Sequence, residues 1–207
     1  MSCWALIALK SPAAAKGRLA ETLDTATRRR LVEQMFADVL AALRAARQIA
    51  GIAVVTAETL ADASLMRIDD PGHGLNAALA HGAAELAARG VDELLILHAD
   101  LPLASGTEID QLIAAGRAQG LAIAPDKAGQ GSNALYLPLS AAFNFRLHFG
   151  PDSFRLHQTE AAAHAQTLAR VDVPGLSFDV DEPRDLEQLL AATGGRYDFL
   201  RGALQQS

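Results

Sequence analysis

Two aspartates stand where a chain can present carboxylates to a small ligand. The apolar run from Leu94 leads through His98 to Asp100 and then to Pro102, which cannot continue a hydrogen-bonded ladder. A carboxylate fixed at a strand end can hold magnesium against substrate phosphates, because the ion prefers oxygen ligands and keeps several waters. The second is Asp181, in the stretch Phe178–Pro183. Extended alternation there aims Asp179 and Asp181 the same way, and Pro183 suits the first turn of a helix. Either aspartate could instead cap the helix that follows it. Their recurrence at the ends of two separate elements favours a metal site built from both. His98 shares the Asp100 face of its strand and reads as a core or supporting histidine.

Cations and glycines lie at other element ends. Between Lys10 and Arg30 there are six basic residues and two acidic ones, Glu21 and Asp24. Lys10, Lys16 and Arg18 edge a loop of small residues, where main-chain N–H groups can approach a polyphosphate and the cations can bond its oxygens. No G-x-x-x-x-G-K-[ST] run occurs, so the loop is not a Walker P-loop. A plain solvated loop is the alternative, and Arg28, Arg29 and Arg30 read as the exposed face of the first helix. Gly72–Ala77 matches G-x-G-x-x-A, but a polar Asp69-Asp70-Pro71 precedes it rather than the first strand of a βαβ unit. The plainer reading is a glycine-lined helix start near a nucleotide, with Gly74 lending backbone and Asn76 able to bond a base or ribose. Ser132, after Gly129 and Gly131, leads into a strand. Gly150 and Ser153 lead into a helix whose N-terminus could take an anion, and His157 lies four residues after Ser153 on the same face. Alternatively Ser153 is only a cap and His157 a surface residue.

The elements that must position these residues alternate along the chain. Short apolar runs at Trp4–Leu9, Ile52–Thr56, Leu94–His98, Leu121–Pro125 and Ala134–Leu137, with a weaker one at Leu168–Val173, predict buried strands. Helical spacing predicts helices over Thr27–Gln48, Leu75–Arg89, Thr107–Gln119, Asp152–Ala165 and Glu182–Ala192. The expected fold is α/β, a mostly parallel sheet with helices on both faces and ligands at the C-terminal strand ends. Residues 1–195 read as one domain and 196–207 as a loosely attached tail. Of 207 residues half are apolar and 5% aromatic, so alanine and the aliphatics fill the core. The net charge of −6 argues against a nucleic-acid or membrane-surface binder. The single cysteine excludes an internal disulfide, no apolar run approaches a membrane span, and nothing resembles a signal peptide, so a cytoplasmic protein is expected.

The chain resembles the 2-phospho-L-lactate guanylyltransferase family of coenzyme F-420 (deazaflavin) biosynthesis over Leu6–Leu190. The resemblance rests on an ordered set of motifs. These are L-K…A-K-x-R-L, G-L-N at Gly74–Asn76, D-L-P at Asp100–Pro102, G-[ST]-N-A-L at Gly131–Leu135, F-G-x-x-S-F-x-x-H at Phe149–His157 and D-x-D-x-P at Asp179–Pro183. It implies a Rossmann-like fold similar to nucleotide-sugar pyrophosphorylases, and transfer of GMP from GTP to a small phosphorylated acid with release of pyrophosphate. By the same resemblance Lys10, Lys16 and Arg18 would hold the GTP phosphates and Asp100 and Asp181 the magnesium. Ser132, Gly150 and Ser153 would bind the acid, whether 2-phospho-L-lactate, phosphoenolpyruvate or 3-phospho-D-glycerate. The product would pass to a downstream transferase, and a homodimer stays open. Two positions depart from the family: Ala8 stands where many relatives have proline, and Ser132 where threonine is usual. The rival readings are a nucleotidyltransferase acting on a sugar phosphate or molybdopterin, a nicotinamide-dependent oxidoreductase using Gly72–Ala77, and a silent nucleotide-binding regulator.

Overall fold

The computed structural model describes residues 3–10, 16–139 and 144–204; residues 11–15 of the expected phosphate loop lie outside them. Seven strands form one sheet: β1 (Cys3–Ala8), β2 (Ile49–Thr56), β3 (Met66–Asp69), β4 (Glu93–Leu97), β5 (Gly120–Pro125), β6 (Ser132–Pro138) and β7 (Thr167–Arg170). Their order across the sheet is β3-β2-β1-β4-β6-β5-β7. Each strand runs parallel to its neighbours except β6, which is antiparallel to both β4 and β5. That reversal matters for function. It brings the beginning of β6, with Ser132 and Asn133, to the edge where β4 ends, and the His98 N–H bonds the Asn133 carbonyl there at 3.0 Å.

Helices α1 (Thr25–Ala45), α2 (Leu75–Ala88), α3 (Gly106–Gln119), α4 (Ser153–Ala163), α5 (Pro174–Ser177), α6 (Pro183–Ala192) and α7 (Arg201–Leu204) surround the sheet. Their starts are set by side chains close in sequence. The Asp24 carboxylate accepts from the Thr27 N–H at 2.7 Å and begins α1, a cap worth about 1 kcal/mol. Ser105 and Glu108 form a reciprocal capping box on α3, and Glu182 and Asp185 form one on α6.

One core lies between the sheet and α1 and α3, a second on the opposite face under α2 and α4. A third, smaller core gathers Leu19, Leu31, Met35, Val180, Leu186, Tyr197 and Leu200. It corrects the expectation of a loose tail after Arg196. Tyr197 and Leu200 are fully buried, the Tyr197 hydroxyl donates to Asp38 at 2.7 Å, Arg196 pairs with the same carboxylate at 2.8 Å, and Arg30 lies over the Phe199 ring. Two further elements were not anticipated, the edge strand β3 and the short α5. Because β3 ends at Asp69, a strand does precede Gly72–Ala77, but it is the outermost strand and not the first of the sheet.

Candidate active site

The third core is what sets the charged residues against one another. Leu19 anchors the turn that carries Lys16 and Arg18, and fully buried Val180 anchors the segment between Asp179 and Asp181. With both segments docked, the Lys16 ammonium lies 2.5 Å from Asp100 Oδ2 and 2.7 Å from Asp181 Oδ1. The carboxylates from the end of β4 and the approach to α6 therefore reach one point. Neither is a helix cap, since α3 is capped by Ser105 and α6 by Glu182. Lys16 adopts a left-handed backbone conformation, φ 58° and ψ 43°, a strain of about 1–3 kcal/mol of the kind found at functional sites.

Electrostatics follow from this geometry. The Lys16 side chain is 8% exposed. Burial pulls its pKa down, but the charges of Asp100 and Asp181 outweigh that and hold it above the ordinary lysine value. Burial likewise pushes Asp100 up, and the nearby Lys16 charge more than reverses the effect, leaving it lowered. Asp179 has no such partner. Burial and then the charges of Asp181 and Asp100 raise its pKa, and its Oδ1 is buried without a hydrogen bond. Asp100 Oδ1 is also buried and unbonded.

The donor set fits a divalent magnesium ion. Hard carboxylate oxygens are in place, two buried oxygens lack partners, and a cationic nitrogen already occupies the point between Asp100 and Asp181. Among the described residues no three His, Cys, Asp or Glu side chains converge to hold an ion. Such an ion would complete its shell from water and substrate oxygens, as magnesium commonly does.

A cavity of about 250 Å³ opens beside this pair, lined by Leu9, Lys10, Lys16, Met35, Leu75, His98 and Asp100. Lys10 is exposed at its rim, and Arg18 lines the adjoining depression with Lys16, Asp100 and Asp181. The His98 ring packs against Phe149 with centroids 5.2 Å apart, as a supporting histidine would.

Gly74 is the N-cap of α2 at φ 93°, a conformation that favours glycine. Asn76 differs from its expected use. Its amide donates to the Phe149 carbonyl at 2.8 Å and accepts from the Phe149 N–H at 2.7 Å, so both ends are spent on the protein instead of standing free for a base. This clamp fixes the entry to Gly150, at φ 132°, and to Ser153 at the start of α4. The Phe154 N–H bonds the Gln130 carbonyl at 3.0 Å, tying α4 to the glycine loop before β6. Ser132 and Ser153 are both 2% exposed. His157 is no surface residue. It is fully buried, with Nδ1 3.0 Å from Ser132 Oγ. Only its spacing from Ser153 was visible in the sequence; its partner Ser132 lies on another element.

Fold and family together make the chain a nucleotidyltransferase. Two solved structures share the architecture. A protein from Desulfovibrio desulfuricans G20, provisionally named a nucleotide-diphospho-sugar transferase, superposes with a TM-score of 0.77 at 18% identity, covering 100% of this chain and 98% of its own. The 4-diphosphocytidyl-2C-methyl-D-erythritol synthase of Anaerococcus prevotii superposes at 0.58 and 13% identity, covering 99% and 98%. The chain belongs to the CofC-like guanylyl transferase family, whose model matches residues 3–203. It is 39% identical to a phosphoenolpyruvate guanylyltransferase of Sphaerobacter thermophilus over 91% of this chain and 93% of the relative. It is 32% identical to one of Conexibacter woesei over 100% and 96%. Among the described residues no helix is long and apolar enough to cross a membrane.

Proposed function

We propose that the chain transfers GMP from GTP to phosphoenolpyruvate, releasing pyrophosphate, as a step of coenzyme F-420 biosynthesis. The observation that carries this reading is the meeting of Asp100 and Asp181 on one cation between a cavity edged by Lys10 and a depression edged by Arg18. The relatives named phosphoenolpyruvate guanylyltransferase support this choice of acceptor. In this reading 2-phospho-L-lactate and 3-phospho-D-glycerate are the competing acceptors.

The chemistry needs no side-chain nucleophile. A phosphate monoester has a second pKa of about 6 and is already an anionic nucleophile at neutral pH. Its oxygen attacks the α-phosphorus of GTP, the new P–O bond forms, and the bond to the leaving pyrophosphate breaks. The protein brings two polyanions together in line and offsets the charge that builds on the α-phosphate and leaving group. Lys10 and Arg18 supply positive charge at the cavity edge. Lys16 bonds both aspartates here, and where magnesium takes that place its ammonium would be released to bond a phosphate oxygen. Asp100 and Asp181, with Asp179 behind them, would hold magnesium. When bound, the ion supplies Lewis-acid neutralisation of the phosphates. Ser132, Gly150 and Ser153 would receive the acid.

The test is pyrophosphate release from GTP and magnesium with each of the three phospho-acids offered separately. Turnover fastest with phosphoenolpyruvate is expected. No pyrophosphate from any of them, with turnover on a sugar phosphate, would overturn the reading.

A further inference from the structure

Ser132 and His157 look like the hydroxyl–imidazole pair of a nucleophilic enzyme, but the hydrogen-bond directions run the other way. The main-chain N–H of His148 points at His157 Nε2, 3.0 Å away. A main-chain amide can only donate, so Nε2 is the bare nitrogen. The ring is sealed between Phe149, edge-on at 5.0 Å, Phe145, stacked at 5.9 Å, and His148, edge-on at 5.9 Å. Burial first, then the neighbouring His148 and His98, push its pKa down to about 4, so it carries a single proton at neutral pH. That proton is on Nδ1, and Nδ1 faces Ser132 Oγ at 3.0 Å.

Ser132 Oγ therefore accepts from His157. A hydroxyl that accepts on this side must aim its own proton elsewhere, and among the described residues His157 is its one hydrogen-bond partner. The opposite tautomer would draw the serine proton inward and present lone pairs, which repel an anion. The same direction disqualifies His157 as a base, because the nitrogen nearest the hydroxyl already bears a proton.

We infer that His157 is a positioning residue that turns the Ser132 hydroxyl proton away from the ring and so holds it as a donor to an anionic oxygen of the acceptor substrate. The inference rests on the reading that Ser132 lies in the acid site, and it adds the group that gives that serine its polarity.

Three variants and one spectrum test it. In Ser132→Ala the KM for phosphoenolpyruvate is expected to rise about tenfold, the scale of one hydrogen bond to a charged group, with the KM for GTP unchanged. His157→Leu removes the Nδ1 donor and should reproduce that selective rise. His157→Asn places an amide N–H near the same point and should recover most of it. If Ser132→Ala leaves the acid KM unchanged, the assignment of the acid site fails. If Ser132→Ala raises it but His157→Leu does not, or raises both KM values equally, the positioning role alone fails. Should His157→Leu not fold, the tautomer still decides. Long-range proton–nitrogen correlations of the 15N-labelled full chain at neutral pH are expected to show His157 protonated on Nδ1, and protonation on Nε2 overturns the inference.

Discussion

At the scale of single residues, Asp100 is the position on which the proposed chemistry depends most. Its carboxylate is matched by Lys16, which it shares with Asp181, so Asp100→Asn keeps the shape and removes the charge. Turnover is expected to fall by about two to three orders of magnitude, the scale of losing one electrostatic stabiliser of a transition state. Steady-state pyrophosphate release together with a thermal midpoint checks this: wild-type turnover in a folded Asp100→Asn sinks the assignment. Asp100 was legible because an apolar run pointed at it and Pro102 closed the run. Asp181 was legible from alternation with Asp179 and from Pro183. His157 was not, since the hydroxyl it serves lies 25 residues earlier and meets it only through the packing of α4 on the start of β6. The bonds of Asn76 to Phe149 were hidden for a related reason. A short amide at a helix start has no local signature that separates binding a ligand from binding its own chain.

At the scale of elements, most strands and helices could be read because their apolar periods are long and their caps are local. The Asp24 and Ser105 caps lie directly before the helices they start. What escaped was β3, four residues of which two are charged and only Ile68 is buried. An edge strand with one inward side chain leaves no alternation to detect. The direction of β6 escaped too, because apolar content says that a strand is buried and not which way it runs. The clamp between α2 and the Phe149 loop makes its own prediction. Asn76→Ala removes both hydrogen bonds to Phe149 and is expected to cost about 1–3 kcal/mol of stability. By loosening Gly150 and Ser153 it should also raise the KM for the acid more than that for GTP. Denaturant unfolding and paired KM measurements test it; a change confined to the GTP KM would return Asn76 to the nucleotide.

At the scale of the whole molecule, stability should depend on pH through His157. Its folded pKa lies below the ordinary histidine value, so the unfolded chain takes up a proton first as pH falls. The corresponding stability is present at neutral pH and is lost between about pH 6.5 and pH 4, up to about 3 kcal/mol. Below that window the lowered carboxylates Glu93, Asp100 and Asp185 add their own losses, while raised Asp179 works in the opposite sense. Thermal midpoints between about pH 7 and pH 5 should fall more steeply for wild type than for His157→Asn, and equal slopes would refute the buried neutral ring. The overall charge of −6 gives no sign of a local cationic edge, yet Lys10 and Lys16 line one cavity and Arg18 the depression beside it. Removing residues 196–207 should abolish activity while leaving much of the sheet's circular dichroism, because Tyr197 and Leu200 belong to the core that seats Val180. Full activity of that shortened chain would refute the dependence. The order in which a polypeptide is made gives this small core a further meaning. All seven strands and Asp100 precede Asp181 in the chain, whereas Tyr197 and Leu200, which share a core with Val180 and with Leu31 and Met35 of α1, follow it. Synthesis therefore lays down the whole sheet before the two carboxylates can be set against one another.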